Sequence, residues 1–200
     1  MHLFMLLLLA LQAEGYERIG DKHEVTVYNR KGHAIDLAAE AEIGFPPEVV
    51  MRVLTDYPSH TRWVHGLSTS QVLAHTDHSL DVYQRLDLPF VGDRDFTIRV
   101  EFGKDGSNRF IRFHGIEGGP PPAKGVVRIP LNEGSWLLQS ADGGRKTHAI
   151  YRFKMELGGH LPMWMARGRA GKDVPDLIDA IRNQCRYYQP IQPTVITGGP

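Results

Sequence analysis

The sequence predicts an α+β fold, a curved antiparallel β-sheet wrapped around one long C-terminal α-helix. Three observations predict it. Period-two alternation of apolar and polar residues dominates the middle of the chain. Turn dipeptides (Lys31-Gly32, Asp105-Gly106, Asp142-Gly143) punctuate the alternating runs at short intervals. Helical periodicity longer than three turns appears only once, near the end.

The elements follow in order. "EVTVYNR" (24–30) is a short strand, and "AIDLAAEAEIG" sets Ile35, Leu37, Ala39, Ala41 and Ile43 on one face against Asp36, Glu40 and Glu42. "PPEVVMRVLTDY" opens with prolines suited to a helix start and carries the stripe Val49, Val50, Val53, Leu54. Strands then recur at "SLDVYQRLDL" (79–88), "DFTIRVEF" (95–102), "RFIRFHGI" (109–116), "GSWLLQS" (134–140) and "THAIYRFKMEL" (147–157). One-sided strands in close succession imply a sheet with one wet and one buried face. "DVPDLIDAIRNQCRYY" spaces Val174, Leu177, Ile178, Ile181, Cys185 and Tyr188 at threes and fours. It is the element of adequate length to cover the apolar face. Its upstream extension, "LPMWMARGRAGK", is weakened by Gly168 and Gly171, and Pro175 predicts a kink. Residues 189–200, with three prolines and no hydrophobic period, read as a flexible tail.

Composition narrows the function. The 200 residues suffice for one domain, and 23 basic against 23 acidic residues give zero formal net charge. No basic run offers a grip on a phosphate backbone, so nucleic acid is excluded as an expected partner. Cys185 is the only cysteine, and the ten histidines are scattered without metal-ligand spacing, so neither a metal nor a cofactor is expected. "GGRKT" (143–147) is a hairpin turn and "GLSTS" (66–70) lacks the second glycine of a nucleophile elbow. "LFMLLLLAL" (3–11) spans only ~14 Å as a helix, against a hydrocarbon core of ~30 Å. Residues 1–13 therefore read as a signal peptide ending at Ala13, despite an n-region with only His2. The alternative is a short apolar N-terminal helix. The expected location is periplasmic or secreted if that signal is genuine, otherwise cytoplasmic.

"LTDYPSHTRWV", "VYQRLDLPFVGDRDF", "GSWLL" and "GGHLPMWMA…VPDLIDAIR" together resemble the bacterial START-type lipid-transfer domains of the Bet v 1-like helix-grip (SRPBCC) superfamily. The resembling motifs are Asp56-x-x-x-His60-x-x-Trp63, Tyr83 ahead of Pro89 and Arg94-Asp95, Gly134-Ser135-Trp136, and Gly158 through Trp164. Where the family often begins with a Trp, this chain has Tyr16; the place of a cavity arginine falls on Val100, so no charged sterol-binding pair is carried over. The resemblance implies a START-like helix-grip domain over residues 14–188. It also implies a cavity between sheet and helix, and a loop at 114–125 ("HGIEGGPPPAKG") that helps close the mouth. Trp63, Tyr83, Phe113, Trp136, Tyr151 and Phe153 are the expected cavity residues; Met163, Trp164, Leu177, Ile178 and Ile181 are the expected lid.

The expected partner is a hydrophobic, lipid-like small molecule, with transient membrane contact during release, and no enzymatic activity. The mechanism is desolvation, at ~0.8 kcal/mol per methylene buried. The alternative is a polyketide cyclase or aromatase acting in the same cavity, with Asp93 or Asp95 as general base. Arg94 between those two carboxylates lowers their pKa, which opposes that role and makes Asp93, Arg94 and Asp95 a structural corner. The three cleanest strands put no charged side chain on their apolar face.

Overall fold

The computed structural model describes residues 11–88, 92–159 and 163–188, with side chains from residue 168 onward in the last segment. Three strands, β1 (Glu17–Lys22), β2 (Val25–Asn29) and β3 (Ile35–Ile43), precede helix α1 (Pro47–Thr55) and a 3-10 helix (Tyr57–Arg62). Then come β4 (Leu67–His75), β5 (Ser79–Leu86), β6 (Arg94–Asp105), β7 (Asn108–Gly115), β8 (Val127–Arg128), β9 (Leu131–Ala141), β10 (Lys146–Glu156) and α2 (Met163–Cys185). The strands form one sheet in the order β1-β2-β3-β10-β9-β7-β6-β5-β4, antiparallel throughout except for β8, which pairs parallel to β6.

β1 and β4 have no counterpart in the apolar alternation. Every residue of β1 is exposed and β4 is an edge strand rich in Ser, Thr and Gln, so neither needs such a pattern to stay in place. The kink expected at Pro175 does not end the helix. α2 runs as one element from Met163 to Cys185 with Pro175 buried inside it, and Gly168 and Gly171 do not interrupt it. At Gly171 the helix comes so near β1 that a Cβ would stand 3.2 Å from Ile19 Cδ1.

Register fixes which side chains look into the concave face. Ala39, Tyr151, Trp136, Ile111 and Phe102 lie in one row across five strands, and Leu37, Phe153, Gly134, Phe113 and Val100 in the next. α1 presses Val49, Val50, Val53 and Leu54 against β7, β9 and β10, and seals the end where Ala149 and Leu138 are fully buried. α2 lays Val174, Ile178, Ile181 and Cys185 over β2, β3 and α1. Its C-terminal end is held by the Tyr188 hydroxyl, which donates to Asp56 and lies 3.3 Å from Ser59 Oγ. Arg182 donates to the carbonyls of His23 and Glu42.

The convex face is not simply wet, as the alternation suggested. Asp36, Glu40 and His148 point outward yet are buried, because Leu11, Tyr16, Tyr28 and Ala38 form a second apolar cluster there. Tyr16 donates to Asp36 at 2.6 Å, Arg30 pairs with the same carboxylate, and Tyr28 donates to Glu40 at 2.6 Å. Leu11, inside the segment read as a signal peptide, is fully buried in this cluster; residues 1–10 and the tail 189–200 lie outside the described residues.

Gly134 shows how tightly the concave rows are set. A Cβ there would fall 2.5 Å from Phe113 Cζ and against the Arg152 carbonyl. Gly134→Ala is expected to destabilise the fold by about 1–3 kcal/mol, read as a lower midpoint in thermal or urea unfolding; an unchanged midpoint would show that Phe113 does not occupy this position.

Candidate functional site

The concave face is unevenly filled. Trp136 is buried and stacks on Tyr151 at 4.1 Å between centroids, and Tyr151 stacks on Phe153 at 5.3 Å. Yet Phe113, Tyr151, Phe153 and Met155 keep solvent-accessible surface, although each sits on a strand bonded to neighbours on both sides and faces the helices. These four residues lie beyond the Ala149–Leu138 row that α1 seals.

Of the six expected cavity residues, Phe113, Trp136, Tyr151 and Phe153 lie together on the concave face. Trp63 packs against the core, donating through Nε1 to Ser59 Oγ at 3.4 Å, with its edge to His60 at 4.8 Å. Trp63 also borders a surface hollow of about 420 Å³ between the 3-10 helix and β4, together with Arg62, His65, Leu67 and Asp87. Tyr83 requires a correction. Its strand pairs it with Thr97, and Val82 with Ile98, so Tyr83 belongs to the convex face with Asp81 and Arg85. The aromatic ring suggested a cavity residue; its alternation with charged neighbours was the stronger signal. Of the lid residues, Ile178 and Ile181 are locked in the core and Leu177 is partly buried, whereas the side chains of Met163 and Trp164 lie outside the described residues.

The corner is built differently from the expected triplet. Arg94 is buried and donates to the carbonyls of Gly92 (2.8 Å), Leu157 (3.1 Å) and Gly158 (3.4 Å). It thereby ties the start of β6 to the turn at Gly158-Gly159, both at positive φ, that leads into α2. Asp93 pairs with Arg85. Asp95, with no exposed surface, takes a bidentate bond from Arg128 (2.7 and 3.0 Å) and one from the Tyr83 hydroxyl (3.1 Å). Burial by itself would raise the Asp95 pKa, but the bonds from Arg128 and Tyr83 outweigh it and hold the carboxyl below its ordinary value. Arg128 and Thr97 also bond the carbonyls of Gly118 and Pro120. The first half of the 114–125 loop is thus fastened to the convex side of the sheet.

Three interior polar residues lie outside the set that the sequence predicts. Tyr57, buried on the 3-10 helix, stacks at a tilt on His60, 4.6 Å away. Asn29 extends the inward parity of Val25 and Val27, and its Oδ1 is buried without a partner. Asn132, buried, shares the parity of Gly134 and Trp136. Counting alternation past the apolar run would have found both asparagines. Burial pushes the Tyr57 and Tyr151 hydroxyls well above their ordinary pKa, and Tyr57 raises Tyr151 further. His60 is pushed down to about 4, chiefly by burial, and its Nε2 lies 3.2 Å from the Val53 carbonyl. At neutral pH these interior groups are uncharged. Among the described residues no cluster of His, Cys, Asp and Glu could hold a metal ion, and no helix is long and apolar enough to cross a membrane.

A long antiparallel sheet packed on a C-terminal helix, with aromatic rows on its concave face, defines a helix-grip domain. Residues 43–182 match the sequence model of the family described as polyketide cyclase / dehydrase and lipid transport, and the chain belongs to that family. It is 30% identical over 115 residues to an uncharacterized protein of Pseudomonas aeruginosa, a match covering 56% of this chain and 55% of that one. The chain thus spans about half the length of the curated relative it matches. Among solved structures, the fold is similar to a STAR-related lipid transfer protein from Xanthomonas axonopodis (TM-score 0.78, 23% identity, covering 86% of this chain and 99% of that one). Human STARD10 is likewise similar (TM-score 0.80, 18% identity, 90% and 78%). So is the Zhui aromatase/cyclase from Streptomyces (TM-score 0.59, 15% identity, 77% and 94%). At these identities the structural likeness establishes the START-type fold.

Two outcomes follow from the electrostatics. Unfolded His60 takes up a proton near pH 6.5 and folded His60 only near 4. Its contribution to stability is therefore complete above 6.5 and lost as the pH falls toward 4. His60→Gln should flatten that part of a stability-versus-pH curve measured by urea unfolding; an unaltered slope would refute the assignment. Arg128→Ala leaves the buried Asp95 carboxylate with Tyr83 alone. Because Arg128 is itself about a third exposed, the expected loss is about 2–3 kcal/mol, below that of a fully buried pair.

Proposed function

We propose that this domain binds a lipid or polyketide-like molecule in the space between the sheet and α2 and carries it without altering it. The carrying observation is the accessible surface left on Phe113, Tyr151, Phe153 and Met155 deep within the fold. Membership of a family that includes lipid transport supports the reading. A ligand's apolar body gains ~0.8 kcal/mol for each methylene brought there from water. Release requires the start of α2 to move away, since its far end is fastened by Tyr188 and Arg182 and the 114–125 loop is tied down at Gly118 and Pro120. That end is where transient contact with a membrane would deliver the ligand.

Carriage is favoured over cyclase chemistry by the position of the candidate base. Asp95 stands on the convex face, saturated by Arg128 and Tyr83, where it cannot reach a substrate in the cavity. Asp93 is engaged by Arg85.

Native mass spectrometry of the purified protein, followed by extraction, tests the reading. An unmodified apolar molecule of defined mass should be released on denaturation. Phe153→Asp, which sets a carboxylate in the cavity wall, should lower its occupancy about tenfold or more while circular dichroism stays unchanged. Chemical conversion of an added polyketide would make the domain an enzyme rather than a carrier, and equal loading of the variant would show that the ligand lies elsewhere.

A further inference from the structure

Two rules of local chain geometry are broken side by side, one inside α2 and one on the hairpin that faces it. Pro175 lies within the helix. Having no N–H, it leaves the Gly171 carbonyl without its helical donor, and its ring crowds that carbonyl. Gly168 and Gly171, both weak helix formers, stand just upstream. On the hairpin, Lys22 pairs with Val25, so the β1–β2 turn consists of His23 and Glu24 alone. Both adopt left-handed backbone angles (φ 54° and 56°), the conformation for which two-residue turns favour Asn and Gly. Residues with larger side chains persist there only where their surroundings hold them.

What holds them is α2, and only beyond Pro175. The His23 ring lies against the Asp179 carboxylate and 3.9 Å from that of Asp176. Lys22 Nζ stands 2.5 Å from Asp176. Arg182 donates to the carbonyls of His23 (2.6 Å), Glu42 (2.8 Å) and Glu24 (3.5 Å). Asp176, Asp179 and Arg182 recur at threes and so share one face of the helix. Upstream the pattern stops. Among the described residues, no side chain from Gly168 to Val174 bonds to another element, and Arg169 pairs with Asp173 of the helix itself. Gly171 meets β1 only through the tip of Ile19, a side chain that is itself more than half exposed. The fully buried stripe likewise begins at Val174 among the described side chains.

We propose that α2 is hinged at Gly171–Pro175: the β1–β2 turn clasps the helix from Asp176 onward, and the part between Met163 and Ala170 swings. The inference rests on the carrier reading above and adds the pivot on which release would turn. A free carbonyl at Gly171 lets the helix bend there without breaking a hydrogen bond, because Pro175 has already removed that bond. The clasp ensures that the bend does not travel into the docked half. The left-handed pair His23-Glu24 makes this grip mutual, since the turn that holds α2 is itself held by α2.

Distances between paired spin labels on the full chain, measured by electron resonance, test the pivot. One label sits at Gly168→Cys, where a Cβ meets nothing within 4 Å, or at the exposed Asn183→Cys. The other sits at Ser107→Cys, on the exposed β6–β7 turn, while the buried Cys185 stays unlabelled in a brief reaction. The 168–107 distance distribution should be about twice as broad as the 183–107 distribution. Pro175→Ala, which restores the missing donor, should narrow the first to the width of the second. Should that variant fold poorly, Gly171→Ala should narrow it too, since the Ile19 tip can turn aside. Arg182→Ala, which strips the turn of its carbonyl bonds, should broaden the 183–107 distribution about twofold. Equal widths at the two positions overturn the hinge, whether both are narrow or both broad. A 168–107 width unchanged by stiffening at both Gly171 and Pro175 overturns it as well. Carriage is judged separately, by extraction: a missing pivot in protein that still releases an apolar molecule removes the hinge alone. A pivot in protein that releases none upholds the hinge and removes the carrier reading.

Discussion

The organising constraint is a mismatch of lengths. β6 and β10, with twelve and eleven residues, extend roughly 36–40 Å, whereas the nine-residue α1 covers only about 14 Å of the concave surface they build. α2 is long enough to bridge the sheet, but its buried stripe (Val174, Ile178, Ile181, Cys185) is committed to β2, β3 and α1. Phe153 and Phe113 are packed against the core yet keep part of their surface accessible. The lining left there is aromatic, and flat stacked rings such as Trp136, Tyr151 and Phe153 leave more irregular gaps than branched aliphatic side chains.

Polarity is sorted by face with the same economy. The buried ion pairs and acid–phenol pairs (Arg30–Asp36–Tyr16, Tyr28–Glu40, Arg128–Asp95–Tyr83) stand on the convex surface, beneath the N-terminal segment or the 116–128 connection. The concave face holds hydroxyls and amides, apart from Lys104 and Arg109 at the β6–β7 hairpin. This division lets the sheet tie its coverings down electrostatically on one side without placing a charge beside the apolar cavity on the other. Arg94 belongs to neither set. By bonding three main-chain carbonyls it ties the start of β6 to Leu157 and Gly158, just past the end of β10.

How much of this was legible in the sequence follows from what each feature depends on. The central strands and both helices were legible because their burial is one-sided, and one-sided burial writes a period into the chain. β1 and β4 left no such trace, since an edge strand needs only a neighbour's backbone. Tyr83 was misplaced when residue type was weighed above parity, although Asp81 and Arg85 on either side already marked the face as polar. The partners at the corner were unreadable, because Arg85 and Arg128 reach Asp93 and Asp95 through strand pairing rather than through sequence adjacency. Tyr57 was hidden for a related reason. At the end of α1 it reads as one more apolar residue of the stripe, and only the folded chain shows how deeply it is buried in the core.

Cys185, the lone thiol, sits without exposed surface where α2 meets α1, and burial pushes it up to about 12. In the docked state it is therefore neither ionised nor reachable. Any chemistry at that sulfur must wait for the clamp made by Tyr188 and Arg182 to let go. The chain thus has a built-in clock for helix undocking: the pace at which a maleimide marks this one atom records how often the far end of the rod comes loose, independently of whatever the cavity holds.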